Sequence, residues 1–156
     1  MRPSIREARA EEVSAVTKMA RKGLSAIHPD LPFDGKIAAD AIANAIDDPS
    51  MLVAVAEDEK GLCGLVIARG EYSWFGPGGV ASDWVTYVEP RARGWLWYRL
   101  LSAYVAWAES LGATVINTTN ASGKDDKRSV HAIGRLGFER VGSMVRKVVN
   151  QDRRGF

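Results

Sequence analysis

Cysteine occurs once and histidine twice in 156 residues. A single thiol cannot close an internal disulfide, and Cys63, inside the apolar run LCGLVIARG, lacks the neighbours of a metal site. It reads as a buried small hydrophobe, and no metal is expected. No apolar run approaches the roughly 18 residues of a membrane span, and the N-terminal MRPSIREARAEEV has no apolar core of a secretory signal. Repeats, linkers and low-complexity stretches are also missing. The expectation is a cytoplasmic protein that does not associate with membranes, built as one domain over residues 1–156.

Hydrophobic residues make up 46% of the chain and charged residues 26%, near the averages of soluble globular proteins, which excludes a fibrous or disordered chain. The net charge of +2 hides an uneven distribution. Residues 1–90 carry 9 basic and 14 acidic side chains, net −5; residues 91–156 carry 12 and 5, net +7. A positive second part either suits a polyanionic ligand or is solvated over several faces.

SIREAR reads as a first strand. Glu11 and Glu12 open a helical pattern with Val13, Val16, Ala20 and Leu24 on one stripe, which Gly23 or the residues after it should end. After the loop HPDLPFDG, Asp34 caps a second helix bearing Ile37, Ala41, Ile42, Ala45 and Ile46. MLVAVA and LCGLVIA, joined by EDEKG, form an antiparallel hairpin buried on both faces. The glycine-rich, aromatic GEYSWFGPGG precedes the strand VASDWVTYV. The longest helix starts at VEPRARG, with Trp97, Leu100, Leu101, Tyr104, Ala108 and Leu111 at helical spacing and Gly112 at its C-cap. ATVINT is a strand, Asp125 or Asp126 caps a helix through Arg135 that Gly137 closes, and FERVGSMVRKVV gives two short strands. The order is β-α-α-β-β-β-α-β-α-β-β.

A strand that feeds a helix through Arg-x-Arg-Gly leaves unpaired backbone N–H groups at a positive dipole end, with guanidinium forks beside them. Those features suit a pyrophosphate, although a surface helix with ordinary N-terminal arginines has the same sequence. VEPRARG followed by RLL, and RSVHAIGRLGFERVG about thirty residues on, resemble the GCN5-related N-acetyltransferase (GNAT) superfamily. Its members show Val-x-Pro, then Arg-Gly-x-Gly-x-Gly or -Ala, and later a helix ending in Tyr-x-x-x-Gly-Phe. The resemblance spans nearly the whole chain. It implies an α/β (α+β) fold with a mixed, mostly antiparallel sheet of six to seven strands flanked by about four helices.

It also implies an enzyme that moves acetyl from acetyl-CoA to a primary amine, with a small-molecule or peptide acceptor. Carried over by position, Val88 bonds the pantetheine arm, and Arg93, Gly94, Trp95, Leu96, Trp97 and Tyr98 form the pyrophosphate turn. Asp126 and Ser129 line the thiol end. The chain departs from the pattern in two places. Leu96 and Tyr98 stand where glycine or alanine is usual; an alternative register, Arg91-x-x-Gly94-x-Leu96, restores only one glycine. Ile133 stands where many members carry a tyrosine that protonates the leaving thiolate, and His131 lies on another helical face.

Aminolysis of a thioester needs a neutral amine. Asp83 is the only acid inside an expected core strand, where a charge needs a reason; it reads as a general base, an amine anchor or a hydrogen-bonded aspartate. Tyr87 is a second catalytic candidate. His28 and Asp30, with Trp74 and Phe75, are the candidate acceptor pocket. A competing reading is a GNAT-fold CoA-binding or protein-interaction module without turnover. A nucleic-acid binder using Arg153 and Arg154 is the least favoured, and a homodimer is left open.

Overall fold

The computed structural model describes residues 2–119 and 126–149. Its centre is a five-stranded sheet in the order β1-β2-β3-β4-β5. The strands are β1 (Ser4–Glu7), β2 (Met51–Asp58), β3 (Gly61–Tyr72), β4 (Gly79–Val88) and β5 (Val115–Asn117). The first four pair antiparallel, and β5 joins β4 in parallel. A parallel neighbour requires a crossover, supplied by α3 (Trp95–Leu111). The other α-helices are α1 (Val13–Ile27), α2 (Gly35–Asp47) and α4 (Asp126–Gly134).

The hairpin of β2 and β3 is apolar in unbroken runs because both of its faces are covered. On one face, Val16, Met19 and Ala20 of α1 and Ile42 and Ala45 of α2 pack on Val53, Val55, Leu65, Ile67 and Val85. On the other, Leu96, Leu100, Leu101, Tyr104 and Ala108 of α3 pack on Leu52, Ala54, Val66, Ala68 and Val88. Cys63 is fully buried on the α3 face, its thiol 3.5 Å from Ala56 O, as expected of a small hydrophobe. Among the described residues, no helix is long and apolar enough to cross a membrane.

Helix ends follow the sequence signals closely. The Asp34 carboxylate accepts from the Lys36 and Ile37 amides at 2.9 and 3.0 Å, satisfying two orphan donors of α2. Gly112 adopts the left-handed conformation that ends α3. At the other edge, Arg6 on β1 binds Glu12 at 2.7 Å and Glu57 on β2 at 2.8 Å, tying the entry of α1 to the sheet. The Glu12 carboxyl is held down to about 2, first by Arg6.

One expectation is narrowed and one is corrected. Of Gly23 and the residues after it, the latter end α1, which continues to Ile27. A Cβ there would lie 2.7 Å from Val85 Cγ2 and 3.0 Å from Tyr87 Cβ, so this glycine lets α1 press against β4. The tail FERVGSMVRKVV forms no strand among the described residues, and the sheet there has five strands rather than six or seven. Val141, Met144, Val145, Val148 and Val149 stand exposed along it. Valine-rich composition alone does not make a strand; a ladder partner is required, and the tail is instead held by Arg146, which donates to Ile27 O at 2.9 Å.

The chain reverses its inside and outside pattern twice. Ala56 pairs with Gly64 and Glu57 with Leu62, so Cys63 is an extra residue in β3; Ala68 pairs with Asp83 and Ile67 with Val85, so Trp84 is an extra residue in β4. These are β-bulges. Ala81 therefore faces α3 while Val85 faces α1.

Gly64 seats the first turns of α3. A Cβ at this position would lie 2.9 Å from Leu100 Cδ1 and 3.2 Å from Tyr87 O. Gly64→Val should cost about 2–3 kcal/mol by overpacking, measured by urea denaturation, and should weaken any ligand held at the start of α3. Acid should also destabilise the fold through Glu12. Its folded pKa lies below the ordinary 4.5, so the Arg6 interaction stabilises fully above that value and is lost as pH falls toward 2. Arg6→Ala should flatten the urea midpoint across that window.

Candidate functional site

The start of α3 has no side-chain cap. Gly94 precedes it at φ 118°, ψ −129°, a conformation favourable only to glycine, and turns the chain so that the first amides of the helix lack intrahelical acceptors. Beside it lies a cleft of about 570 Å³ that includes Arg2, Arg91, Arg93, Trp95, Tyr98 and Arg99 in its lining. Uncapped amides at a positive dipole end, beside a cleft lined by four arginines and by Asp58, are chemistry that suits an anion.

The arginines are not equivalent. Arg91 is bound to Asp58, and its Nη2 donates to Leu62 O at 3.3 Å, so it staples the β2–β3 turn. Arg99 donates from Nη1 to Pro3 O at 2.9 Å. Arg93 is exposed and makes no hydrogen bond or ion pair with a described residue. Arg2 and Arg99 escaped the sequence reading; Arg99 lies one helical turn beyond Trp95, the only signal that pointed to it.

The bulky residues in this turn sort by face. Leu96 is 5% exposed and packs into the α3-side core, so its side chain is turned away from solvent. Trp97 packs half-buried against the same core. Trp95 is 68% exposed and meets Tyr98 edge to face at 5.6 Å. Trp95, Leu96 and Tyr98 all contribute to the cleft's lining, Leu96 with only a small exposed fraction.

The second feature is the parting of β4 from β5. Their register ends at Ser82 opposite Asn117. Beyond it, β4 runs on to Val88, paired with β3. On its β5 side this stretch has no ladder partner among the described residues, an arrangement that suits an extended ligand, with Val88 at the end nearest α3.

Asp83 is the first β4 residue past that register. Thr86 donates to its Oδ2 at 3.1 Å across the Trp84 bulge, while Oδ1 is buried with no hydrogen-bond partner among the described residues. Burial pushes its carboxyl above the ordinary 3.8, offset in part by the Thr118 and Thr86 hydroxyls. Tyr104, fully buried on α3, senses its charge and donates to Asn117 O at 2.8 Å. Sequence reasoning did not find Thr86, Tyr104 or Thr118, because the bulge that gathers them leaves no mark in the residue pattern.

Tyr87 lies on the opposite face. Its hydroxyl donates to Glu89 Oε2 at 3.3 Å, and Lys22 holds the other oxygen at 2.6 Å. Burial, then Glu89, raises its pKa. The two catalytic candidates are therefore not brought together. On α4, Ser129 and Ile133 are half-buried, Ile133 against the α3-side core, and His131 is exposed. The side chain of Asp126 lies outside the described residues, as do Arg153 and Arg154.

The acceptor candidates divide between the two ends of β4. His28 ends α1, with Arg146 Nη2 3.3 Å from its Nδ1, and Asp30 follows in the loop to α2. This is the Val88 end of the sheet, since α1 packs on Val85 and Tyr87. Trp74 and Phe75 meet edge to face at 5.4 Å in the β3–β4 turn, exposed at the far end of β4.

The arginine assignments can be separated by experiment. Arg91→Ala should lower the thermal midpoint by releasing the β2–β3 turn. Arg93→Ala should leave that midpoint unchanged and weaken inorganic pyrophosphate binding about tenfold, the loss of one charge-assisted contact, read by calorimetry.

No family model matches the sequence, and no curated protein is similar to it. Solved structures are similar over almost its full length. A predicted acetyltransferase from Clostridium acetobutylicum, solved with acetyl-CoA, superposes with a TM-score of 0.73 at 14% identity, covering 94% of this chain and 96% of the other. A GNAT family acetyltransferase from Staphylococcus aureus gives 0.68 at 12%, covering 96% and 100%. A transcriptional regulator from Bacillus halodurans gives 0.71 at 16%, covering 94% and 99%. With its mixed sheet, parted fourth and fifth strands and crossover helix, the chain has the GNAT fold.

Proposed function

We propose that this chain is an N-acetyltransferase that moves acetyl from acetyl-CoA to a primary amine of a small molecule or peptide. The observation that carries the reading is the alignment of two features: an uncapped helix start beside an arginine-lined cleft, and an open strand edge leading from it to a buried carboxyl group. CoA has a diphosphate, an amide-rich extended arm and a terminal thiol in that order. The residues fit it. Arg93, Arg99 and the first amides of α3 would hold the phosphates, the exposed face of Trp95 offers a stacking surface, and β4 from Asp83 to Val88 would pair with the pantetheine amides. As co-substrate, acetyl-CoA supplies the activated thioester.

Asp83 takes the role of base or amine anchor. An ordinary aspartate is a weak base, and burial raises its proton affinity toward the working range. The acceptor enters at the end of the sheet where His28 and Asp30 lie. Tyr87, braced by Glu89 and Lys22, borders that side and orients the amine rather than exchanging protons with Asp83. Trp74 and Phe75 fall outside this arrangement.

Ile133, in place of an acid, supports a second reading: a module that binds CoA without turnover. Calorimetric titration with acetyl-CoA, followed by thiol release with a polyamine, an aminosugar and a peptide bearing a free N-terminus, separates the two. Binding with amine-dependent thiol release is expected; binding alone favours the module, and no binding removes both. Since the ionised Asp83 is the active form, kcat/KM should fall with acid as pH drops through a value above 3.8, the ordinary aspartate pKa. Asp83→Asn should abolish that limb.

A further inference from the structure

The carboxyl group of Asp83 is incompletely partnered: Thr86 donates to Oδ2, the Thr118 hydroxyl and Thr119 amide lie beside the group, and Oδ1 is enclosed with no hydrogen-bond partner among the described residues. A buried carboxylate oxygen left in that state is costly, and no cation among the described residues offsets it. Among the described residues, the groups recorded around it are Tyr104 on α3, Ala68 opposite on β3, Thr118 and Thr119 after β5, and Thr86 beyond the bulge. Of these, Tyr104 commits its hydroxyl to Asn117 O, and the three threonines are not acids at neutral pH. Across the sheet, Tyr87 commits its hydroxyl to Glu89. On α4, Ile133 carries no proton and His131 is exposed.

We propose that Asp83 performs both proton transfers of the acetyl exchange, so that this chain needs no separate acid on α4. The inference rests on the acetyltransferase reading above. The neutral amine forms its bond to the thioester carbon, and the carbonyl electron pair moves to oxygen. The nitrogen, now cationic, gives one proton to Asp83 Oδ1. The oxygen pair returns, the carbon–sulfur bond breaks, and the departing thiolate takes that same proton from Asp83. The products are an amide and CoA as the thiol, and Asp83 is again a carboxylate. Nitrogen and sulfur are bonded to one carbon at the midpoint, so a single carboxyl group placed beside that carbon can serve both. An oxygen without a fixed donor can exchange partners in this way; one already saturated by hydrogen bonds cannot.

The test uses the full chain, with Asp83→Asn, Ile133→Tyr and the double variant. Asp83→Asn removes a buried charge and should keep or raise the thermal midpoint, which shows that it folds. The first readout needs no turnover. The ultraviolet thiolate absorbance of bound CoA, followed against pH, should give a thiol pKa about one unit higher in the wild type than in Asp83→Asn, because a carboxylate beside a thiol disfavours its ionisation. In turnover with the three probe amines, Asp83→Asn should lower kcat about 10²–10³-fold. Ile133→Tyr should leave wild-type kcat within about twofold and recover part of the loss in the double variant, as expected of an added acid.

An unchanged thiol pKa, a kcat loss below about tenfold, or a large gain from Ile133→Tyr in the wild type overturns the inference and leaves the acetyltransferase reading standing. Failure of the wild type to bind acetyl-CoA overturns both.

Discussion

The first turns of α3 can lie against β3 because residue 64 has no side chain. With Leu100 Cδ1 at 2.9 Å from where a Cβ would stand and Tyr87 O at 3.2 Å, the helix has no room to move inward. Leu96 is buried by the same contact, and its burial fixes the rotation of the helix. Once that rotation is set, Trp95 and Arg99, one turn apart, must both face the cleft. The shape of the helix start beside the cleft is thus a consequence of core packing, and the two residues that break the expected glycine pattern contribute to it: Leu96 anchors the helix, and Tyr98 packs against Trp95.

The bulge at Trp84 does comparable work on β4. Without it, Asp83 and Val85 would share a face, and a charged carboxyl group would sit among the apolar contacts of α1. With it, Asp83 turns toward α3, where Thr86, Thr118 and Tyr104 form a small polar pocket in an otherwise apolar layer. The strand also loses its β5 partner at this point, so the Asp83 carboxyl group and the unpaired stretch of β4 coincide. A fold that only needed stability would have paired both.

Signals that act within one element were legible in the sequence. Asp34 as a cap, Gly112 as a stop, and the two buried runs of the hairpin all depend on neighbours within a few residues, and all stand where expected. Signals that depend on a partner far along the chain were not. Gly23 has the same identity as a helix stop, and only contact with Val85 and Tyr87 distinguishes its role. Arg91 reads as a phosphate ligand until Asp58 is placed beside it. The tail has the valine-rich composition of a strand yet none of the pairing among the described residues. Trp74 and Phe75 have a composition suited to a pocket, and only the placement of the β3–β4 turn shows that they lie at the end of β4 away from Val88.

The same distinction bears on how fold and chemistry are related here. At 12–16% identity, the similar structures share with this chain its layers and crossover, and they include a transcriptional regulator as well as acetyltransferases. A shared scaffold therefore leaves the reaction undetermined, and the case for catalysis has to be made from this chain's own atoms. An anion seat and an open strand edge are enough to bind CoA, and a binding module would keep both. What a binding module would not keep is an ionisable group in a buried layer with one oxygen unpartnered, because that arrangement costs stability in every folded molecule and improves no contact with the coenzyme. Asparagine or threonine at position 83 would keep the Thr86 contact without a buried charge. The aspartate is the feature that binding leaves unexplained and proton transfer accounts for.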